Sequence, residues 1–125
     1  MLRVILIDDE NAPIEIMEYF IEEYFTDVQI VATAKDIEDG FLQINRHAPD
    51  LIFLDHNIPP GFGFDLLKRF PERNFDVVML TAHYSIEEEA KQYNILGFMH
   101  KPIDLDELKS FINLAREHKK QLPDK

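Results

Sequence analysis

The chain has 125 residues, 46% of them apolar, which suits one domain with a substantial hydrophobic core and argues against two. It holds no apolar run long enough to cross a bilayer, its opening Met1-Leu2-Arg3 leads into a strand too short to be a signal peptide, and its lack of cysteine excludes a disulfide framework, a thiol nucleophile and thiolate metal sites, so a cytoplasmic protein without a membrane segment is expected. With 24 acidic against 13 basic residues the formal charge is −11, which opposes direct binding to a nucleic-acid backbone.

The first apolar run, Val4-Ile5-Leu6-Ile7, stops on the acidic pair Asp8-Asp9. A helix follows with the stripe Ile14, Met17, Phe20, Ile21 and Tyr24, capped by Asn11 and carrying Pro13 in its first turn. The second strand is expected over 28–33, and Asp36 then caps a helix bearing Ile37, Phe41 and Ile44 that stops before Pro49. Leu51-Ile52-Phe53-Leu54 forms a third strand ending on Asp55, followed by a loop containing Gly61-Phe62-Gly63 and a short third helix over 64–70. Val77-Val78-Met79-Leu80 ends on Thr81, and Ser85 with Glu88 has the spacing of a capping box opening a fourth helix. Phe98-Met99-His100 ends on Lys101. Asp104 with Glu107 opens a fifth helix that buries Leu105, Leu108, Phe111, Ile112 and Ala115 and finishes in His118, Lys119 and Lys120, charges suited to a helix C-terminus. Residues 1–120 are expected to form the domain and 121–125 a loose tail.

Short continuous runs of branched and aromatic residues separated by amphipathic helices read as buried parallel strands. Five such β/α units imply right-handed crossovers and a single five-stranded parallel sheet of order 2-1-3-4-5, a flavodoxin-like (β/α)5 doubly wound α/β fold. In that order the third strand is central, so Asp55 falls between Asp8-Asp9 and Thr81, each about 4.8 Å away across the sheet, with Lys101 roughly 10 Å off and able to close the gap with its stem. Every carboxyl end faces one rim, where open α/β sheets bind ligands. Three carboxylates there repel, by about 4 kcal/mol for a pair at about 4 Å and an effective dielectric near ~20. Lys101 offsets part of this. An oxygen-only ligand set also favours a hard divalent ion, magnesium being the natural choice beside phosphate.

These residues resemble the receiver domains of two-component response regulators. The resemblance covers about residues 3–114 and rests on Ile7-Asp8-Asp9-Glu10, on Asp55, Pro59 and Gly63 at D-x-x-x-P-x-x-x-G spacing, on Leu80-Thr81-Ala82 and on Lys101-Pro102. It implies that Asp55 is the phosphoacceptor for a sensor histidine kinase or histidine phosphotransfer protein. Asp9 would bind Mg2+ directly and Asp8 mainly through water, with Asp55 itself and the backbone carbonyl of Asn57 completing the protein ligands. Thr81 and Lys101 would contact the phosphoryl oxygens, and the bond before Pro102 would be cis. Self-phosphorylation from phosphodonors and autodephosphorylation would accompany a signalling role. Thr81 and Phe98 would act as switch residues, reshaping the face of the fourth helix, fifth strand and fifth helix, including Ile86, Ala90 and Tyr93, for a downstream protein or a second copy.

The chain departs from the pattern at Phe98, where a tyrosine is commoner. The stretch Tyr93-Asn94-Ile95-Leu96-Gly97 with Lys101-Pro102-Ile103-Asp104 is similar to regulators of the LytTR type. A stand-alone receiver, a phosphate sink and a receiver cut from a longer transcriptional regulator are alternatives. An aspartyl phosphatase would place its nucleophile after the first strand with an Asp two residues on, whereas Asn57 holds that second place here. A flavin carrier would want a hydroxyl- and glycine-rich loop where Asp8-Asp9-Glu10 stands. The five histidines lack metal-ligand spacing: His47 and His118 are expected to face solvent, His100 to pack within its strand, and His56 and His83 to flank the site.

Overall fold

The computed structural model describes residues 1–82 and 86–121. Along the chain run β1 (Leu2–Ile7), α1 (Asn11–Tyr24), β2 (Val28–Ala34), α2 (Ile37–His47), β3 (Leu51–Asp55), β4 (Asn57–Ile58), β5 (Gly61–Phe62), α3 (Gly63–Leu67), β6 (Asp76–Thr81), α4 (Glu87–Ala90) with a 3-10 turn over Lys91–Tyr93, β7 (Gly97–His100) and α5 (Leu105–Gln121). The main sheet has the order β2-β1-β3-β6-β7, and every pairing in it is parallel. Counting its five members along the chain, this is the order 2-1-3-4-5, the flavodoxin-like arrangement expected from the alternating elements.

The continuous apolar runs are explained by burial on both faces. Val4, Leu6, Leu51, Phe53, Val78 and Leu80 point to one side, where Ile14, Met17 and Ile21 of α1 and Leu108, Ile112 and Ala115 of α5 cover them. The intervening Ile5, Ile7, Ile52, Leu54, Val77 and Met79 face α2, α3 and α4. Two helices on one side and three on the other place the reversal of winding between β1 and β3, where such sheets leave a crevice at their carboxyl ends.

Helix ends show where local signals competed. Asp36 caps α2, accepting from the Asp39 amide at 2.7 Å, and Asp104 does the same for the Glu107 amide of α5 at 2.9 Å. Asn11 is the first helical residue of α1 and not its cap: Glu10 holds the cap position without a side-chain bond, and its amide donates to Asp8 Oδ1 at 2.9 Å. Tyr24, at the end of the α1 stripe, is 51% exposed, and Leu105 and Phe111 of α5 are only half-buried. The third helix starts one residue before the expected span and ends at Leu67, passing into a turn. The fourth is a single turn continued by the 3-10 residues, and its expected cap, Ser85, lies outside the described residues.

The stretch after β3 is not the plain loop expected. Asn57 and Ile58 pair antiparallel with Phe62 and Gly61 around Pro59-Pro60, making a small ribbon. The basic end of α5 also acts through particular partners rather than the helix dipole alone. Arg116 pairs with Asp27, His118 Nδ1 lies 2.7 Å from Asp76 Oδ1, and Lys119 Nζ lies 2.9 Å from Asp50 Oδ2, at the entries of β2, β6 and β3. The α5 helix runs through Gln121, and 122–125 lie outside the described residues. No helix among the described residues is long and apolar enough to cross a membrane.

Candidate functional site

Strand register brings the reactive residues together. Ile7 pairs with Leu54, so Asp8 and Asp55 leave β1 and β3 side by side. Asp55 pairs with Leu80 and Thr81 with His100, which sets Thr81 one step beyond Asp55 and Lys101 one step beyond β7. The Lys101 amide donates to the Thr81 carbonyl at 3.0 Å, extending the ladder to the lysine. The Lys101–Pro102 peptide is cis. A cleft of about 130 Å³ results, lined by Asp9, Glu10, Asp55, His56, Asn57, Thr81, Ala82 and Lys101.

Its floor is polar yet enclosed: Asp8, Asp55 and Thr81 are 1%, 4% and 2% exposed. Lys101 Nζ reaches past the ends of β6 and β3 to lie 2.9 Å from Asp8 Oδ2 and 3.4 Å from Asp55 Oδ2. The Asp8 contact is at ion-pair distance but off hydrogen-bond direction. The Asn57 amide donates a long bond, 3.4 Å, to Asp55 Oδ1. Asp9 is exposed on the opposite lip, and its carboxylate gathers with those of Asp8 and Glu10 within 4.8 Å. Phe98 is half-buried and packs on the α2/α3/α4 side of the core.

Burial, and after it the neighbouring Asp8, push the Asp55 carboxyl up to about 7, with Lys101 only partly opposing them. Burial pulls the Lys101 ammonium down, but Asp8 and Asp55 outweigh this and hold it above its ordinary value. One ammonium therefore faces two enclosed carboxylates and two open ones. Because the folded-state value of Asp55 lies above its unfolded value of 3.8, native protein binds the extra proton between about pH 4 and 7 and loses stability as pH rises through that window. Asp55→Asn is expected to be the more stable protein at pH 8 without divalent ions, by on the order of 2 kcal/mol after discounting for solvent screening. The advantage should shrink to nothing near pH 4. Urea unfolding of both proteins in chelator across this range measures it; a difference independent of pH would contradict the assigned cause.

The donor set fits a hard divalent cation, since it is all oxygen, holds more negative than positive charge, and leaves Asp9 and Glu10 open to solvent. Glu10 was not singled out as a ligand from the sequence, although it stands in the same acidic run. His56 was placed beside the site, but its packing was not foreseen. Its ring stacks on Phe62 at 5.3 Å and meets Phe64 edge-on at 5.4 Å, and Phe64 stacks on Tyr93 at 4.7 Å. His83 lies outside the described residues. His100 is half-buried within β7, while His118, though exposed, is engaged by Asp76, and His47 is only half-exposed. Ile86 and Ala90, expected on a partner-facing surface, are 6% and 1% exposed: they are the apolar side of the α4 turn and pack on the sheet.

Comparison with known proteins agrees with this geometry. The family model for the response regulator receiver domain matches residues 4–113. An uncharacterised response regulatory protein of Vibrio cholerae is 34% identical over 123 residues, covering 96% of this chain and 51% of its own. The sensory transduction protein LytT of Bacillus subtilis is 31% identical over 106 residues, covering 83% of this chain and 44% of LytT. The chain thus spans about half the length of these relatives. Among solved structures, the receiver domain of a LuxO-type repressor from Vibrio parahaemolyticus superposes with a TM-score of 0.82 at 26% identity, covering 96% of this chain and 94% of that one. The receiver domain of AraT from Geobacillus stearothermophilus gives 0.81 at 25%, covering 96% of each. With sheet order, acidic rim and family model in agreement, this chain belongs to the response regulator receiver domains of two-component signalling.

Proposed function

We propose that the protein is a cytoplasmic phosphoacceptor in which Asp55 takes a phosphoryl group from the phosphohistidine of a sensor kinase or phosphotransfer protein. The observation that carries this reading is the placement of Lys101 Nζ between two enclosed carboxylates, 2.9 Å from Asp8 and 3.4 Å from Asp55, at the mouth of a solvent-open cleft. An Asp55 oxygen attacks phosphorus, the P–N bond breaks, and the imidazole leaves. Phosphoryl transfer needs positioning and charge neutralisation more than covalent help. Lys101 supplies a fixed positive charge beside the acceptor, and the Thr81 hydroxyl at the end of β6 donates to a phosphoryl oxygen. Asp9, Asp55 and the Asn57 carbonyl would hold Mg2+, with Asp8 acting mainly through water. When bound, the ion supplies further neutralisation of the transferring oxygens.

Phosphorylation adds charge and acceptor oxygens, drawing Thr81 towards the new group while Phe98 turns inward. A near-complete switch needs about 5.5 kcal/mol of differential stabilisation, more than the 1.5–3 kcal/mol or so of one charge-assisted bond. Lys101 and burial of Phe98 must contribute. The responsive face is α4, β7 and α5, offered through the exposed residues of α4 because Ile86 and Ala90 face inward. It would recruit a downstream protein or a second copy. A longer regulator is the second reading, favoured by the half-length match to relatives such as the transcriptional regulatory protein BtsR of Escherichia coli.

Treatment with acetyl phosphate and Mg2+ should add the mass of one phosphoryl group, and chelation of the metal or Asp55→Asn should each abolish it. An equal gain in Asp55→Asn would reject the assignment.

A further inference from the structure

A second cleft, of about 680 Å³, opens at the end of the sheet where the strands begin, away from the acidic rim. Leu67, Phe75 and Leu96 give it an apolar wall, and the turn after α3, the turn before β7 and the end of α5 enclose it. Its volume and mixed lining are those of a small-molecule pocket. Its charge runs against the rest of the chain. In a protein of net charge −11, the cations Lys68 and Arg73 line it against one carboxylate, Asp76.

Arg73 is the telling residue. Its guanidinium is half-buried, and one nitrogen donates to the Tyr93 carbonyl and, at 3.1 Å, to that of Asn94. No carboxylate stands at ion-pair distance from it among the described residues, and Asp76 Oδ1 is engaged by His118 Nδ1 at 2.7 Å. Burial pulls the guanidinium below its ordinary pKa, with Asp76 only partly opposing this. Both N–H groups of the donating nitrogen are taken by the two carbonyls, and the guanidinium's remaining N–H groups can give a carboxylate a charge-assisted bond at the cleft wall.

We propose that this cleft binds a small organic carboxylate, with Arg73 taking the carboxylate group and Leu67, Phe75 and Leu96 the apolar body. A polyanion fits less well, because Asp76 would repel it and most of the wall offers no cation. The site is independent of phosphoryl transfer at Asp55 and stands or falls separately.

Benzoate is a suitable probe, with benzyl alcohol as its uncharged counterpart, each titrated into the 15N-labelled protein at fixed ionic strength. Benzoate should give saturable shifts at the amides of Phe75 and Asn94 to Leu96, with a Kd on the order of 1–10 mM for so small a ligand. Arg73→Gln should weaken it roughly tenfold or more. Lys68→Glu, an exposed change that spares the fold, should weaken it by about threefold through the local field. Equal affinity for benzyl alcohol, shifts confined to Asp9, Asn57 and Lys101, or indifference to Lys68→Glu in a protein with an unaltered spectrum would each overturn the proposal.

Discussion

Replacing Lys101 by Ala is expected to slow acceptance of a phosphoryl group by about 10²–10³-fold, the range seen when one preorganised electrostatic donor is removed from a reaction centre. The reason is geometric. Lys101 Nζ is the sole cation within ion-pair distance of Asp8 and Asp55 among the described residues, and its side chain is only 20% exposed. The same change leaves two enclosed carboxylates facing each other. Breaking a buried pair by removing one partner typically costs about 3–5 kcal/mol. Here the loss should be nearer ~2 kcal/mol at pH 8, because removing the ammonium lets Asp55 take up a proton more readily and the cleft opens to water. Stopped-flow or mass-based rates with acetyl phosphate give the first quantity and urea unfolding the second. Mg2+ should stabilise the variant more than the wild type, since the ion meets a less compensated site. A wild-type rate in Lys101→Ala would show that the lysine is structural only.

Gly63→Ala should unfold the protein more easily than any conservative change on the surface. A Cβ at Gly63 would sit 2.5 Å from the backbone carbonyl of Asp55, 3.0 Å from Met79 Cε and 3.1 Å from Leu54 Cγ. The carbonyl cannot withdraw without moving the phosphoacceptor, because β3 is paired on both sides. The Gly63 amide also donates to the His56 carbonyl at 2.7 Å, tying the start of α3 to the end of β3. Overpacking of this kind costs about 1–3 kcal/mol and, in a domain of this size, lowers Tm by roughly 5–10 °C. Gly61→Ala is the control. Its Cβ would approach Asp65 Oδ2 at 2.7 Å, the end of an exposed side chain, and should cost less, at most the bond that this oxygen accepts from the Phe62 amide at 2.8 Å. Equal losses in both would mean that helix propensity or ribbon geometry, not the Asp55 carbonyl, sets the requirement for glycine.

Much of this architecture was legible because buried parallel strands have no polar face. Leu51 to Leu54 are each fully buried, so the run reads as one block with Asp55 at its end. The approach of Lys101 was legible for a related reason: its long stem spans the strand that separates it from Asp55. Less visible was anything decided by short range and context. The ribbon of β4 and β5 has two residues per strand, too few for an alternating pattern to register. Ile86, Ala90 and Tyr93 carry helical spacing, yet only four residues complete an α-helical turn before the 3-10 segment takes over, and the apolar side faces the sheet. Asn11 has good capping chemistry, but the helix begins one residue earlier than that reading needs, with Asn11 already in its first turn and Glu10 at the cap position. Asp27, Asp50 and Asp76 carry no local signal of their partners, since α5 brings Arg116, Lys119 and His118 to them from far along the chain.

The central claim is that one carboxylate, Asp55, becomes covalently phosphorylated while Asp8 and Asp9 do not. Borohydride reduces an acyl phosphate to the alcohol and leaves free carboxylates untouched, so peptide mapping after acetyl phosphate, Mg2+ and borohydride reads the modified position directly. The account predicts reduction at position 55 alone, dependent on the metal and weakened in Lys101→Ala. Reduction at Asp8 or Asp9, or none at position 55 in folded protein, would contradict it.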